Sequence, residues 1–242
     1  MTLNSLSMIS MPKNPKHIAI ILDGNRRYAM RSGLKPWQGH AYGTKKVEEL
    51  LEWCKDLGIK ELTLYSFSSE NFKRGKKEVD FLMNLFRKQI KRLKGDKRLQ
   101  SYKLKVNFIG RLSLFPKDIQ KEMEEVMEKT KQNKGFKVNF AMGYGGRAEI
   151  VDSIKKIIKK IKNKKINERD IDEKLIAQNL YLQDEPDIVI RPGGEKRVSN
   201  FLIWQSYYSE WFFIDKLWPE FTKQDLIEVI DEFKERERRF GG

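Results

Sequence analysis

A carboxylate, a glycine turn and two arginines stand together near the start of the chain, which reads DGNRR from Asp23 to Arg27. The beginning of a helix favours a bound anion, and arginine adds forked donors that suit phosphate. A carboxylate repels phosphate unless a cation lies between them, and Mg²⁺ is commonly held by carboxylates plus substrate phosphates. Asp23 is therefore predicted to bind Mg²⁺ at a diphosphate site. The alternative is an ordinary turn with aspartate as the helix cap.

Two further polar loops follow predicted strands, one at 68–75 and one at 191–200, where a glycine pair lets the backbone approach a ligand. In an alternating α/β chain, ligands bind in the loops at the carboxyl ends of the strands. Side chains suited to phosphate or protons are Ser68, Ser69, Glu70, Asn71 and Arg74 in the first loop, and Arg191, Arg197 and Ser199 in the second. The second loop is predicted to be an anion site distinct from the one at Asp23.

The elements that must position these loops follow from the apolar pattern. The run at 18–22 is short, β-branched and bounded by a turn, so it predicts a buried strand. Further strands are predicted at 61–67, 104–110, 137–142, 187–191 and 211–214. Helices are predicted between them, an aromatic segment at 201–208 is also read as helical, and 94–100 is read as a loop. The alternation predicts one α/β domain over 17–242 with a central, mostly parallel sheet, after an N-terminal extension at 1–16.

The helix predicted at 78–93 has an apolar face wider than the single stripe of about 100° that is usual for a surface helix. Such a helix is either deeply buried or lines an apolar cavity as well as the core.

The composition limits the partners and the location. The chain has 242 residues and a formal net charge of +15, so its partners should be anionic: nucleic acid, acidic lipid headgroups or phosphorylated small molecules. The single cysteine, Cys54, allows no disulfide framework and reads as a buried helix residue. No apolar run approaches the roughly 20 residues that span a bilayer, and no secretory signal is present. A cytoplasmic protein is expected.

Two arginine-rich sites and two isolated acids, Asp23 and Glu210, are thus predicted at strand ends of one sheet. The sequence contains no zinc-binding spacing, no GxxxxGK(S/T) phosphate loop and no GxGxxG fingerprint. Four long segments instead resemble the signatures of the cis-prenyltransferases, the undecaprenyl diphosphate synthase family. They read HIAIILDGNRRYA, LTLYSFSSENFKR, VNFAMGYGGR and DIVIRPGGEKRVSNFLIWQ, the last followed by WFFIDKLWPEF. The resemblance runs in order from about residue 17 to 242.

The resemblance implies a fold, a reaction and a metal. The fold is an α/β domain with an apolar tunnel, of which helix 78–93 would form one wall. An allylic diphosphate loses diphosphate, isopentenyl diphosphate adds through its double bond, and a proton leaves to set a cis double bond. Repetition gives a long polyprenyl diphosphate such as undecaprenyl diphosphate, a glycosyl carrier lipid precursor. Mg²⁺ would stabilise charge on the leaving group.

The resemblance also assigns roles to residues. Asp23 would hold Mg²⁺ and act on the departing diphosphate, Asn71 would accept the proton, and Glu210 would be a second magnesium-associated acid. The allylic diphosphate would lie on Gly24, Asn25, Arg26 and Arg27, bordered by Tyr28 and His40. A second substrate-contacting loop would comprise Ser68, Ser69, Glu70, Phe72 and Arg74. Isopentenyl diphosphate would bind Arg191, Arg197, Val198 and Ser199.

Departures from the bacterial signature bear on the starter. Arg26 and Tyr28 stand where bacterial members have glycine and tryptophan, which favours an archaeal-type enzyme. Pro36 replaces an arginine, so Lys35 or Arg26 would take over that phosphate contact. We expect a geranylgeranyl starter, with farnesyl as the alternative. Ser66 is small where a larger side chain would narrow the tunnel, which favours a long product.

The resemblance further implies a homodimer, since the tail at 238–242 matches a segment that reaches a neighbour's site. The product hydrocarbon is expected to bring the enzyme to the membrane surface. Two alternatives are a non-catalytic partner subunit, which would tend to lack the acid and arginines present here, and a nucleic-acid binder, which only the charge suggests. The DDxxD pairs of trans-type prenyl synthases do not occur in the sequence.

Overall fold

The computed structural model describes residues 14–236. The first 13 residues of the predicted N-terminal extension, and the tail predicted at 238–242 to reach a neighbouring subunit, lie outside the described residues.

Six strands form one sheet in the described part of the chain. They are β1 His17–Ile21, β2 Glu61–Ser68, β3 Lys105–Ile109, β4 Lys137–Tyr144, β5 Ile188–Pro192 and β6 Glu210–Ile214. Their order across the sheet is β3-β4-β2-β1-β5-β6, and every neighbouring pair is parallel. All six carboxyl ends therefore lie at the same edge, which brings the loops after β1, β2 and β5 together. The predicted α/β fold with a central parallel sheet is confirmed.

Within residues 14–236, eight α-helices connect or flank the strands. They are α1 Asn25–Arg31, α2 Gly39–Asp56, α3 Lys76–Lys94, α4 Arg98–Ser101, α5 Lys117–Thr130, α6 Gly146–Lys162, α7 Glu173–Asn179 and α8 Lys223–Glu235. None of the described helices is long and apolar enough to cross a membrane.

The segment at 201–208 was predicted to be helical, and this prediction is wrong. It forms a series of turns, entered through Asn200 at φ 61° and containing Leu202 at φ 45°. Positive φ values are incompatible with a right-handed helix. Phe201 and Leu202 are fully buried beneath the sheet, so tertiary packing decides the backbone here. The stretch at 94–100 is also not entirely loop, because α4 begins at Arg98.

The sheet is covered on both faces, as a parallel sheet requires. Along β1, Ile18 and Ile20 point into the larger core, which includes apolar residues of α2, α3, α5 and α8. Ala19 and Ile21 point to the opposite face, into a smaller core with Leu202 and its neighbours. Both faces of β1 are therefore shielded from water, and the strand is packed on both sides up to the turn that leads to Asp23.

Candidate functional site

The turn after β1 depends on a glycine. Gly24 has φ 101°, and a Cβ added there would lie 2.9 Å from the Cβ of Leu217. Any other residue would therefore meet both backbone strain and a steric clash. The turn is also held by the backbone N–H of Trp218, which donates to the carbonyl of Asp23 at 2.8 Å. These contacts fix the position from which the Asp23 carboxylate projects.

Asp23 joins the two predicted phosphate sites. Its Oδ2 lies 2.8 Å from Nη2 of Arg191, at the end of β5, and its Oδ1 lies 3.3 Å from Nη2 of Arg27, on α1. The backbone N–H of Gly24 also donates to Oδ1, at 2.6 Å. Arg191 is only 3% exposed, so this carboxylate is the counter-charge of a buried guanidinium. The two anion sites, predicted to be distinct, are in fact contiguous.

The loop after β5 packs directly on this pair. Nη1 of Arg191 donates to Oγ of Ser199 at 2.6 Å and to the backbone carbonyl of Arg197. Gly193 has φ 101°, and a Cβ there would lie 2.7 Å from Nη2 of Arg27. Glu195 pairs with both Arg27 and Arg197. Two carboxylates thus link three guanidinium groups, because Asp23 pairs with Arg27 and Arg191 and Glu195 pairs with Arg27 and Arg197. Val198 is exposed.

A second charged cluster surrounds Glu78, near the beginning of α3, which the sequence analysis did not single out. Glu78 is 7% exposed. Its carboxylate lies 2.9 Å from Nη1 of Arg74, 3.6 Å from Nε2 of His40 and 3.8 Å from Nε of Arg26. The (i, i+4) spacing of Arg74 and Glu78 was the available signal. Glu78 therefore gathers three predicted substrate-binding residues from separate parts of the chain.

His40 is neutral at pH 7 in this cluster. Burial lowers its pKa, the Arg74 cation lowers it further, and Glu78 only partly opposes them, so that the pKa falls to about 4. A neutral imidazole has one nitrogen that donates and one that accepts a hydrogen bond. Because Nε2 is buried without a hydrogen-bond partner, it is free to meet a ligand.

Three unpartnered polar atoms mark the same place. The buried side-chain atoms without a hydrogen bond, among the described residues, include Oδ1 of Asn25, Nε2 of His40 and Nε of Arg191. Such groups are costly unless something completes them. All three belong to residues predicted to contact substrate. Two others, in His17 and Gln205, lie elsewhere.

The loop after β2 is braced by its own polar side chains. Oδ1 of Asn71 accepts the backbone N–H of Ser68 at 3.0 Å, so the amide holds the loop, and its proton-accepting role stays a prediction. Glu70 accepts from Nδ2 of Asn200 at 3.1 Å and from Oγ of Ser69 at 3.2 Å. Burial raises the pKa of Glu70, but these and other hydrogen bonds outweigh it and hold the pKa below its usual value.

Three predicted contacts lie at the margin of the site. The ring of Phe72 packs edge-on against Phe67 in the core, with centroids 4.8 Å apart. Tyr28 stacks obliquely on Tyr42. The ammonium of Lys35 lies over Trp37, 5.7 Å from the ring centroid. Of the two proposed substitutes for the missing arginine at position 36, Arg26 is therefore the one that reaches the Glu78 cluster.

Glu210 does not lie with Asp23, which corrects the prediction of two acids at one set of strand ends. Glu210 is the first residue of β6 and pairs with Ile188, which in turn pairs with Ile18. Asp23 lies five residues beyond Ile18, past the opposite end of β1. Glu210 is instead paired with Arg236 at 2.7 Å. Within one chain the two acids cannot share an ion.

Asp23 can supply one ligand to Mg²⁺. Its Oδ1 already accepts from Gly24 and Arg27, whereas Oδ2 accepts only from Arg191 and keeps one lone pair free. The described residues contain no group of three or more acidic, histidine or cysteine side chains that could enclose a metal. A single carboxylate with the remaining positions filled by diphosphate oxygens and water is a usual arrangement for Mg²⁺. The residues therefore fit this ion.

An apolar cavity opens beside the charged groups, between α2, α3 and the sheet. The space between its walls is about 980 Å³ when the part open to solvent is included, and about 140 Å³ of it can hold the centre of a water molecule. Asn25 and His40 line it at the charged end, and its walls include Leu22, Val47, Leu51, Ser66, Leu82, Leu85, Phe86 and Met142. The wide apolar face of α3 was predicted to be either deeply buried or part of a cavity wall. Both are true, because Leu82 and Ile90 are buried and also line the cavity.

The fold and the site define an α/β protein in which two arginine-rich loops meet at the mouth of an apolar cavity. The chain belongs to the undecaprenyl diphosphate synthase family of cis-prenyltransferases: the family described as "Putative undecaprenyl diphosphate synthase" matches residues 21–241. This membership confirms the resemblance seen in the sequence and identifies the chain as a cis-type prenyltransferase.

Individual relatives agree. A tritrans,polycis-undecaprenyl-diphosphate synthase (geranylgeranyl-diphosphate specific) of Pyrococcus abyssi is 51% identical over 94% of this chain and 87% of its own length. One with the same name from Methanocaldococcus jannaschii is 47% identical over 94% of this chain and 82% of its own. The crystal structure of lavandulyl diphosphate synthase from Lavandula x intermedia, in complex with dimethylallyl diphosphate, superposes with a TM-score of 0.90 at 34% identity. That match covers 95% of this chain and 99% of the other.

Proposed function

We propose that the protein condenses isopentenyl diphosphate units onto geranylgeranyl diphosphate, with Mg²⁺, to make a long-chain polyprenyl diphosphate of the undecaprenyl class. One observation carries the proposal: the Asp23 carboxylate lies between Arg27 and Arg191, so that two diphosphates bound by these arginines would meet at the mouth of the apolar cavity. The hydrocarbon of the starter would enter that cavity.

Each substrate has its own donors. The starter's diphosphate would accept hydrogen bonds from the backbone at the beginning of α1 and from Arg27, with Arg26 and Arg74 close by at Glu78. Isopentenyl diphosphate would bind Arg191, Arg197 and Ser199, and Arg191 also holds the other two in place through its contacts with the Arg197 carbonyl and the Ser199 hydroxyl. Because the two sites are contiguous, the double bond of isopentenyl diphosphate can lie close to the carbon that bears the leaving group.

The bonds that change follow from this placement. The carbon–oxygen bond of the allylic diphosphate breaks, its electron pair leaves with diphosphate, and a carbon–carbon bond forms to the isopentenyl double bond. Loss of a proton from the isopentenyl unit then restores a double bond. A bound Mg²⁺ would neutralise charge that develops on the leaving diphosphate. Arg27 stabilises the same charge by hydrogen bonds that strengthen as diphosphate departs.

The proton acceptor is assigned less directly. Asn71 is the residue to which the family resemblance assigns proton acceptance, although a neutral amide is a weak base. Its amide oxygen already accepts the Ser68 backbone N–H. A phosphate oxygen of isopentenyl diphosphate is a stronger base than that amide, and an Asn71 that orients the substrate is consistent with both contacts.

The starter is proposed from two features. Pro36 offers no donor where bacterial members carry arginine, and Arg26 reaches the Glu78 cluster instead. The archaeal relatives named above are called geranylgeranyl-diphosphate specific.

The length of the product is proposed from the cavity wall. Ser66 lines the cavity, and its small side chain leaves room for a long hydrocarbon.

The test supplies the purified chain with radiolabelled isopentenyl diphosphate, Mg²⁺ and starters of 5, 10, 15 or 20 carbons in parallel. We expect butanol-extractable polyprenyl product, most of it from geranylgeranyl diphosphate, and no product after chelation of Mg²⁺. No labelled polyprenyl product with any starter would overturn the proposal. A preference for the 15-carbon starter would replace geranylgeranyl by farnesyl diphosphate.

We also propose a homodimer that works in the cytoplasm and approaches the membrane surface when it carries product. Strand β6 is the last strand of the sheet in the described residues, so one of its backbone edges is not paired in the sheet. Phe213 on that strand, together with Ile203 and Tyr207 on the preceding turns, is an exposed large apolar side chain. Burying this surface against a second copy would remove it from water. Light scattering of the purified chain measures the oligomeric state.

A further inference from the structure

The far end of the apolar cavity is closed by charged side chains rather than by the core. Glu48 on α2, Arg92 on α3, Asp96 between helices and Arg98 on α4 all line the cavity. Together with Glu52 on α2 they form what we call the distal ion-pair cluster. Hydrocarbon gains nothing from contact with charges and would have to displace their water. The cluster is therefore the least favourable surface that a growing chain would meet.

The cluster connects three helices. Nη1 of Arg92 lies 2.8 Å from Oε1 of Glu48, which ties the end of α3 to α2. Nη1 of Arg98 lies 3.1 Å from Oε1 of Glu52, and Nη2 of Arg98 lies 2.6 Å from Oδ2 of Asp96. Nη2 of Arg98 also lies 4.0 Å from Glu48. The two arginines thus bridge α2 to α3 and to α4 across the end of the cavity.

The distance to this end is short for the proposed product. Glu78 marks the charged mouth on α3 and Arg92 marks the far end, and a helix rises 1.5 Å per residue, so the cavity wall between them is about 21 Å long. One extended acyl chain spans half of a hydrocarbon core that is about 30 Å thick, or about 15 Å. A polyprenyl chain of the undecaprenyl class is much longer than an acyl chain. It must therefore fold back inside the cavity or leave through the far end.

The pair of Arg92 with Glu48 is the part of the cluster that costs least to open. The side chain of Arg92 is 61% exposed. Exposed ion pairs add little stability, because water and salt screen them. The pairing is strong enough to prefer one closed arrangement, yet weak enough for a hydrocarbon under elongation to compete with it.

We propose that the distal ion-pair cluster determines product length, by closing the far end of the cavity until the hydrocarbon displaces it. This proposal rests on the function proposed above. Residues of the cluster are specificity-determining rather than catalytic, since none of them contacts the reacting atoms. Weakening the cluster should let the tip of the growing hydrocarbon pass through the far end while its diphosphate stays bound, so that more condensations occur before the product is released.

The test compares product lengths for Arg92→Glu, Glu48→Arg and the double variant that exchanges the two charges. We expect each single variant to shift the commonest product to a greater length by one or more isoprene units. The double variant restores an opposite-charge pair, so its product distribution should return toward the wild type. Arg98→Gln provides an independent opening of the cluster if one single variant does not fold. Circular dichroism and thermal melting establish that each variant is folded.

Arg87→Gln is the matched control, because Arg87 lies on the same helix, pairs with Asp118 and does not line the cavity. Its product distribution should equal that of the wild type. Unchanged or shortened products in the folded cluster variants, with active wild-type enzyme, would overturn this proposal alone. A wild-type chain that makes no polyprenyl product would instead overturn the proposed function.

Discussion

The two edges of the sheet both carry polar side chains, but they pair them differently. At the amino edge, Nδ2 of Asn139 donates to Thr63 at 2.9 Å and to Glu61 at 2.7 Å, and its Oδ1 accepts from Asn107 at 2.9 Å. Nε2 of His17 lies 2.8 Å from the same Thr63 hydroxyl. These contacts form a ladder across four strands, in which most side-chain groups satisfy one another.

The carboxyl edge leaves more of its polar atoms incomplete. Asp23 is shared between Arg27 and Arg191, while Asn25, His40 and Arg191 each bury an atom without a hydrogen bond. Since unpaired buried groups cost stability, their concentration at one edge indicates that a ligand completes them. Polarity alone therefore does not mark a site: at the amino edge the polar groups mostly bind one another, whereas at the carboxyl edge some keep unpaired atoms that the proposed substrates would complete.

Replacing Asp23 should have the largest effect on activity. We expect Asp23→Ala to lower turnover by at least two orders of magnitude, which corresponds to about 2.7 kcal/mol of transition-state stabilisation. Asp23→Asn keeps the shape of the side chain without its charge and should lower turnover nearly as much. Steady-state incorporation of labelled isopentenyl diphosphate measures both. The control is Asp118→Ala, which removes an exposed carboxylate outside the site. Near-normal turnover in either Asp23 variant would remove this carboxylate from the mechanism.

Arg191→Lys should also reduce activity strongly. A lysine ammonium cannot reach Asp23, Ser199 and the Arg197 carbonyl together, as the forked guanidinium does. Hydrogen bonds to charged groups are worth about 1.5–3 kcal/mol, so kcat/KM for isopentenyl diphosphate should fall roughly 10- to 100-fold. Arg87→Lys serves as the distant control. If only the KM for the starter rose, Arg191 would serve the starter's diphosphate site and not that of isopentenyl diphosphate.

Breaking the ladder at the amino edge should affect stability and spare activity. Asn139→Ala removes three side-chain hydrogen bonds in a fully buried position. The buried groups left behind should cost about 1–3 kcal/mol of the free energy of unfolding, measured by urea denaturation. Turnover per folded molecule should match the wild type. A variant of normal stability and reduced turnover would contradict the division between the two edges.

The smallest expected effect concerns the pH dependence of stability through the two histidines, His17 at the amino edge and His40 at the carboxyl edge. Burial lowers the pKa of both, and that of His40 falls to about 4. Between pH 6.5 and 4 the unfolded chain therefore binds more protons than the folded one, and the free energy of unfolding should fall as the pH drops. His40→Gln should make this decline shallower, which urea denaturation at pH 7, 6 and 5 measures. An unchanged slope would contradict the lowered pKa of His40.

A bound anion should separate the two histidines further. Inorganic pyrophosphate at the carboxyl edge favours the charged imidazolium, so the pKa of His40 should rise while that of His17 stays constant. The chain has only two histidines, so their ring protons can be followed by NMR titration. Equal shifts at both rings would indicate a global change instead of binding at one edge.

Much of the site was predictable because its chemistry is local. The β-branched run, the Asp23-Gly24 turn and the following helix occupy consecutive residues, so periodicity and turn preferences are enough to place them. The parallel order of the strands then implies that the loops after β1, β2 and β5 share one edge. The width of the apolar face of α3 likewise predicted a helix that is deeply buried or also lines a cavity, and the structure shows both.

Other features depend on partners that are distant in the chain. A helix was predicted at 201–208 from its aromatic composition, but burial of Phe201 and Leu202 requires turns. Glu210 was grouped with Asp23 as a strand-end acid, but it stands at the start of its strand, and the parallel pairing of β6 with β5 places it at the amino edge.

The sequence by itself determined the strand and helix pattern, the phosphate-binding residue types and the family, because each is written in neighbouring residues. Tertiary structure alone decided which charges from distant parts of the chain meet. Asp23 contacts Arg191 across 168 positions of the chain, and Glu78 gathers Arg26 and His40 from a different helix or loop. The same holds for the ion pairs that close the cavity. Contacts of this kind depend on how strands and helices pack, and no local pattern of side chains encodes that packing.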